Sequence, residues 1–188
     1  MYLLLLCSLA VAVIMIDRIL FYKRARAGLT AFTDELPALL AGKSWSDAAA
    51  ACEKEHNASA YLAGEGAKAA AEGRDADLAL DTAYVTVAAE LRARLNYLSM
   101  IITMAPLLGL LGTISGMITS FSIFSLQAGQ PLAITGGIGE ALIATATGLC
   151  VAVFALVVHT YFAQKMDEVL TEVEKADAAV KSELRKRG

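Results

Sequence analysis

The chain has 188 residues, 57% of them hydrophobic and 19% charged, with a mean hydropathy of +0.56 and a formal net charge of −3. That composition excludes a disordered chain, a nucleic-acid binder built on basic patches and a disulfide-stapled secreted module. Cys7, Cys52 and Cys150 form no CxxC pair and are odd in number, so neither a zinc site nor a disulfide framework is expected.

Residues 1–22 form the first predicted span, an apolar run interrupted only by Asp17-Arg18 near its end. It has no basic stretch before it and no small-x-small cleavage site, so it reads as an uncleaved anchor with its N-terminus outside. Residues 23–94 read as a cytoplasmic helical region. They are alanine-rich, and glycines at 28, 42, 64, 66 and 73 predict short helices joined by tight turns. Ser44-Trp45-Ser46-Asp47 resembles a helix N-cap. From Asp75 the pattern is helical without a breaker until Pro106, so the second span, 95–125, is expected to begin as a cytoplasmic helix that runs into the membrane. The uncharged segment 126–132 is the predicted periplasmic turn, and residues 133–163 are the third span. Beyond it, residues 164–188 carry a stripe of Met166, Val169, Leu170, Val173, Val180 and Leu184, with Asp177/Lys181 and Glu183/Arg187 as i,i+4 pairs on the solvated side. The fold class is therefore an all-α membrane protein with three transmembrane helices, the second and third extended into a helical cytoplasmic region.

The charges agree with this division. Of the 19 acidic residues, eleven fall between Asp34 and Glu90 and six between Asp167 and Glu183. The seventy residues between Arg94 and Lys165 contain one charged side chain, Glu140. A bilayer-spanning helix takes about 20 apolar residues, so this stretch holds two spans. Lys23, Arg24 and Arg26 follow the first span, Arg92 and Arg94 precede the second, and Lys165 follows the third. All of them place the N-terminus in the periplasm and the C-terminus in the cytoplasm of a multi-pass inner-membrane protein.

The first span is leucine-rich, as a simple anchor is; the other two are not. Gly109, Gly112, Gly116 and Ser120 recur at helical spacing in the second, with Thr113 beside them. Gly136, Ala144, Gly148 and Ala152 recur every four residues in the third, and Glu140 occupies the missing step. Small residues at such spacing let helix backbones approach closely, because lipid supplies no hydrophobic drive for helix association. Packing does not explain the carboxylate. A charge near the bilayer centre costs about 2.5–3.5 kcal/mol on insertion scales, and such residues mark ion or proton pathways. Counted from Thr135 as the helix start, Glu140 lies about 7–8 Å into the span. Thr147 is i+7 from it and shares its stripe; Thr145 is i+5, about 140° around the helix. Each threonine can instead bond a carbonyl of its own helix. There is no phosphate loop, no pair of carboxylates at one depth and no Ser/His/Asp set that the topology would unite, so no enzyme, cofactor or metal is expected. A passive scaffold or small-solute exporter remains the alternative; an inverted internal repeat would favour it, and none is seen.

Ala105-Pro106-Leu107-Leu108-Gly109-Leu110-Leu111-Gly112-Thr113-Ile114-Ser115-Gly116-Met117 and Gly137-Ile138-Gly139-Glu140-Ala141-Leu142-Ile143-Ala144-Thr145-Ala146-Thr147-Gly148-Leu149 together resemble the MotA/TolQ/ExbB proton-channel family, most nearly its ExbB and TolQ branches. The resemblance runs over residues 1–175 and all three spans; the MotA branch has four spans and a larger cytoplasmic region. It implies a homopentamer around two copies of a single-span ExbD/TolR-like partner, which acts in turn on a TonB- or TolA-like protein, with no nucleic acid involved. It also implies that ion flow drives rotation of the partner. The motif places the family's pore carboxylate on Glu140 and its polar threonines on Thr113 and Thr145.

Overall fold

The computed structural model describes the backbone of residues 2–126 and 131–187, and the side chains of residues 2–122 and 136–187. Among the described residues seven helices follow one another: α1 (Tyr2–Ala25), α2 (Leu29–Ala41), α3 (Trp45–Cys52), α4 (Ala58–Ala71), α5 (Ala76–Arg92), α6 (Leu95–Leu126) and α7 (Pro131–Arg187). Among the described residues there is no strand. Among them, three helical stretches, within Tyr2–Ala41, Ala76–Ser122 and Gly136–Arg187, are long and apolar enough to cross a membrane. The chain divides into one unit of Met1–Asp17 with Arg94–Phe162, and a second of Arg18–Ala93 with Ala163–Gly188.

In the first unit large apolar side chains point outward. Leu6, Leu9, Leu107, Leu111, Leu142 and Val153 are all exposed, while Leu4, Ala105, Val151 and Ala152 make a small internal cluster with Cys7, Ile101 and Leu108 against it. Water would penalise so much exposed apolar area; a lipid solvent does not, and leaves close packing to small residues.

The second unit inverts this pattern. Leu36, Leu40, Leu62, Leu80, Leu91, Val169, Val173 and Val180 are buried, and α4 packs against α2, α3 and α5. Three of its helices start on a side-chain cap: Ser44 accepts from the Asp47 amide (3.2 Å), Asn57 from Ala60 (2.9 Å) and Asp75 from Leu78 (3.0 Å), while α2 starts on Gly28 without one. At the end of α1, Tyr22 donates its hydroxyl to the Leu91 carbonyl (2.9 Å), and Arg18 donates to that of Glu90 (3.2 Å).

Several expectations change. The helical pattern from Asp75 does not run unbroken into the second span: α5 stops at Arg92, and Arg94 takes a left-handed φ of 66° before α6 begins. Arg94 pairs with Asp17 there, an anchor for a conformation that a non-glycine residue adopts at a cost. Pro106 breaks nothing; α6 passes through it, as helices in lipid tolerate. The third helix starts at Pro131, not Thr135, with proline in the first helical position, where its missing N–H has no intrahelical partner to lose. Of the predicted turn 126–132, Leu126 closes α6 and Pro131 opens α7, and residues 127–130 lie outside the described residues.

The glycines also differ. Gly28 and Gly73 do sit in turns, with φ of +69° and +67°. Gly64 and Gly66 lie inside α4, where a Cβ on Gly66 would fall 2.5 Å from Leu80 Cδ2 and 3.3 Å from Val180 Cγ1. The pairs near the C-terminus are present, Asp177–Lys181 at 3.0 Å and Glu183–Arg187 at 2.9 Å, but not on a solvated face. Glu183 is buried, Lys181 also reaches Asp81 (3.1 Å), and Arg187 stacks 4.6 Å over Trp45 while donating to the carbonyls of Leu40 and Lys43. The end of α7 is thereby fastened across α2, α3 and α5.

Replacing Gly66 with Val should overpack the contact with Leu80 and Val180, lowering stability by about 1–3 kcal/mol. A fall in the melting temperature of the detergent-solubilised protein measures it.

Candidate functional site

The site is built on two helices whose backbones nearly touch. A Cβ on Gly148 would lie 2.6 Å from the Ala105 carbonyl oxygen and 3.1 Å from Gly109 Cα. One on Gly109 would lie 3.0 Å from Thr145 Cα, one on Gly112 2.7 Å from Ala144 Cβ, and one on Gly116 2.8 Å from Ala141 Cβ. Further along, Gly137 sits against the Ser120 side chain. Thr145 donates its hydroxyl to the Gly109 carbonyl at 3.0 Å, a side-chain bond across the closest approach.

The face of α7 that meets α6 is therefore Gly137, Ala141, Ala144, Thr145 and Gly148. The expected row of every fourth residue from Gly136 drifts about 40° per step on a 3.6-residue helix, so it cannot stay on one contact. The contact follows alternating steps of four and three instead, and Gly137 stands where Gly136 was expected. Gly136 and Gly139 have nothing within 4 Å of their Cβ positions. Sequence reading passed over Gly137 and Ala141, although the 4-3-4 spacing from Gly137 to Gly148 carries the signal.

Glu140 is off this face. It precedes Ala141, about 100° around the helix, and its side chain is exposed on the chain's surface. With α7 beginning at Pro131, it lies about 13 Å from the helix start, deeper than a start at Thr135 would put it. Among the described residues no group lies within hydrogen-bond distance of its carboxylate. Thr147 shares its flank and donates back to the Ile143 carbonyl at 2.8 Å. Thr113, on α6, likewise donates back to Leu110 at 2.7 Å. Of the three threonines, only Thr145 is spent between helices.

Chemically, this is a lone carboxyl group on a helix flank otherwise made of Gly136, Gly139, Ile143 and Thr147. It is held by a rigid helix pair and faces away from that pair's own contact.

The family model described as the MotA/TolQ/ExbB proton channel family matches residues 51–175. ExbB-like 1 of Synechocystis sp., named for biopolymer transport, is 47% identical over 74 residues, 37% of this chain and 29% of that protein. The biopolymer transport protein ExbB of Pseudomonas putida is 39% identical over 77 residues, 40% of this chain and 23% of its own length. The Tol-Pal system protein TolQ of Pseudomonas aeruginosa is 33% identical over 82 residues, covering 43% and 36%. The chain thus spans between about a quarter and a third of the length of these relatives.

Gly148→Ala places its methyl against backbone, which cannot rotate away, and should cost about 1–3 kcal/mol by separating α6 from α7. Gly136→Ala meets open space within the chain and should cost less than Gly148→Ala. Thr145→Val should cost about 0.5–2 kcal/mol, the range for one interhelical bond in lipid. Melting temperatures of the three variants in the same detergent order these effects; equal losses at Gly136 and Gly148 would contradict the assigned contact face.

Proposed function

Since the chain belongs to the MotA/TolQ/ExbB proton channel family, we propose that it is the ring-forming subunit of a proton-driven motor in the bacterial inner membrane. Five copies surround two copies of a single-span ExbD/TolR-like partner. The assembly uses the ion gradient to energise outer-membrane transport or envelope maintenance through a TonB- or TolA-like protein. The N-terminus is periplasmic and the C-terminus cytoplasmic. The work done is transport, not chemical turnover.

One observation carries this reading: the only charged residue in the apolar stretch of α6 and α7 lies on an open flank, not inside the α6–α7 contact. A carboxyl group kept for helix packing would be expected to bond across that contact, as Thr145 does. On the open flank Glu140 faces either a neighbouring copy or the partner. Gly136 and Gly139 leave room for that helix to come close. Carboxyl groups from several copies around one low-dielectric path cannot all ionise at once, so proton uptake at one changes the contact preferred by the partner's acid. A gradient across the membrane then biases the cycle. Thr147 lines the same flank as a hydroxyl that can pass or hold a proton, and Thr113 stands on the flank of α6. Thr145 fixes the pair's geometry.

Native mass spectrometry of the detergent-solubilised protein should give five copies; a stable monomer would contradict the ring. Glu140→Gln keeps the shape and hydrogen-bonding capacity but removes the change of charge. It should assemble and co-purify with the partner while losing gradient-driven activity. Glu140→Asp should keep partial activity. Full activity in the Gln variant, with assembly intact, would make Glu140 structural and return the reading to a passive scaffold.

A further inference from the structure

Nothing in the residues around Ala93 ends a helix. Leu91-Arg92-Ala93-Arg94-Leu95 holds no glycine or proline, and every member is a good helix former. The buried positions Leu80, Ala83, Val87, Leu91, Leu95 and Leu98 follow one another by steps of three and four straight through the break, as on a single helix. Yet α5 stops at Arg92, and Arg94 is left-handed, a conformation unfavourable to any residue with a Cβ.

What holds the break comes from α1. In a continuous helix the Glu90 carbonyl would accept from the Arg94 amide and the Leu91 carbonyl from the Leu95 amide. At an ordinary left-handed helix end the same two carbonyls would take the amides just beyond it. Neither arrangement is present. Arg18 donates to the Glu90 carbonyl (3.2 Å) and Tyr22 to that of Leu91 (2.9 Å), both from buried side chains. Asp17, next to Arg18, pairs with the Arg94 guanidinium. Among the described residues the amides of Arg94, Leu95 and Asn96 donate to no backbone carbonyl, and α6 takes up its own bonding at Tyr97 and Leu98, onto Arg94. Side chains of α1 thus stand in for two of the amides that would join α5 to α6.

We propose that α5 and α6 are two halves of one helix that α1 holds apart, and that residues 93–96 form a two-state joint. In the broken state Arg18 and Tyr22 serve the Glu90 and Leu91 carbonyls, and Asp17 keeps Arg94 left-handed. If these side chains withdraw, two carbonyls lose their donors while three amides already lack acceptors. Closing the helix satisfies all of them at once and returns Arg94 to its preferred conformation. The two states differ by a handful of bonds of one kind, which makes the joint a bistable element and not a continuously bending one. Its state reports the position of α1, the helix that carries all three clamps. The joint is separate from Glu140, and the proposal stands whether or not the ion-coupling reading does.

Amide hydrogen exchange of the full chain in nanodiscs, read at residues 94–96, tests it. Arg94→Ala and Arg94→Gly both lose the pair with Asp17 and differ by one methyl group. The first favours the helical conformation and the second tolerates the left-handed one, so exchange at Leu95 and Asn96 should be about tenfold slower in Arg94→Ala. Tyr22→Phe removes only the hydroxyl and leaves the Leu91 carbonyl to the Leu95 amide. It should slow the same amides relative to the unsubstituted chain. A cap without a second state predicts otherwise: Tyr22→Phe would fray the end of α5 and speed exchange at Arg92 and Ala93, and residues 94–96 would exchange alike in every variant. Equal exchange in Arg94→Ala and Arg94→Gly, or no slowing in Tyr22→Phe, would overturn the joint.

Discussion

The approach of α6 to α7 at Gly109 and Gly148 is the constraint on which the membrane unit rests. With a carbonyl oxygen 2.6 Å from where a Cβ would stand, that crossing admits no side chain at all. Lipid gives helices no hydrophobic reason to associate, so contact density and the few available hydrogen bonds must do it. The crossing provides both, since the same approach that excludes a side chain brings Gly109's carbonyl within 3.0 Å of the Thr145 hydroxyl. Once this face of α7 is committed to α6, every other residue's direction follows from 100° per residue. Glu140 is on the open flank because Ala141 is on the closed one.

The two units solve opposite solvent problems with one kind of secondary structure. In the unit holding the apolar stretches, most large apolar side chains are exposed and the contact between α6 and α7 is made by glycines and alanines. In the other, leucines and valines form the core, and charged side chains fasten helix to helix, as Arg187 does across Trp45 and the carbonyls of Leu40 and Lys43. Alanine and glycine serve both, which is why the composition of residues 23–94 resembles a turn-rich region while the structure is almost wholly helical. Gly64 and Gly66 are there so that α4 can lie against Cys52 and Leu80.

Much of this was legible in the sequence, and the parts that were not share a cause. The spans, the Ser44 cap, the C-terminal pairs and the isolation of Glu140 are local or compositional facts, and one-dimensional reading reaches them. The break at Ala93–Arg94 is not local: no glycine or proline marks it, and the left-handed Arg94 is held by Asp17, 77 residues earlier in the chain. On the face of α7 the structure has Gly137 where a four-residue row puts Gly136, because such a row fits the letters almost as well as a 4-3-4 row. Only the partner helix distinguishes Gly137 from Gly136. Thr113, Thr145 and Thr147 look alike in sequence, and the structure separates them by what their hydroxyls reach: two bond their own helix and one bonds its neighbour.

This separation bears on how a single charge can be kept in such a place. Inserting a carboxylate at the middle of a span costs about 2.5–3.5 kcal/mol, and a chain that needed only a hydrogen bond there would gain more from a threonine or serine, as it does at Thr145 and Ser120. Nothing among the described residues compensates Glu140 from within the chain. In the motor reading proposed above, its compensation comes from outside the chain: from a neighbouring copy, a partner's polar group or a bound proton. Each of those makes the residue's energy depend on the state of something that can move. A threonine at this position would be satisfied in every state and would couple to none of them. In that reading the open carboxyl group is the side chain whose free energy a gradient changes, and the closed, glycine-lined contact behind it keeps that change from being absorbed by its own helix pair.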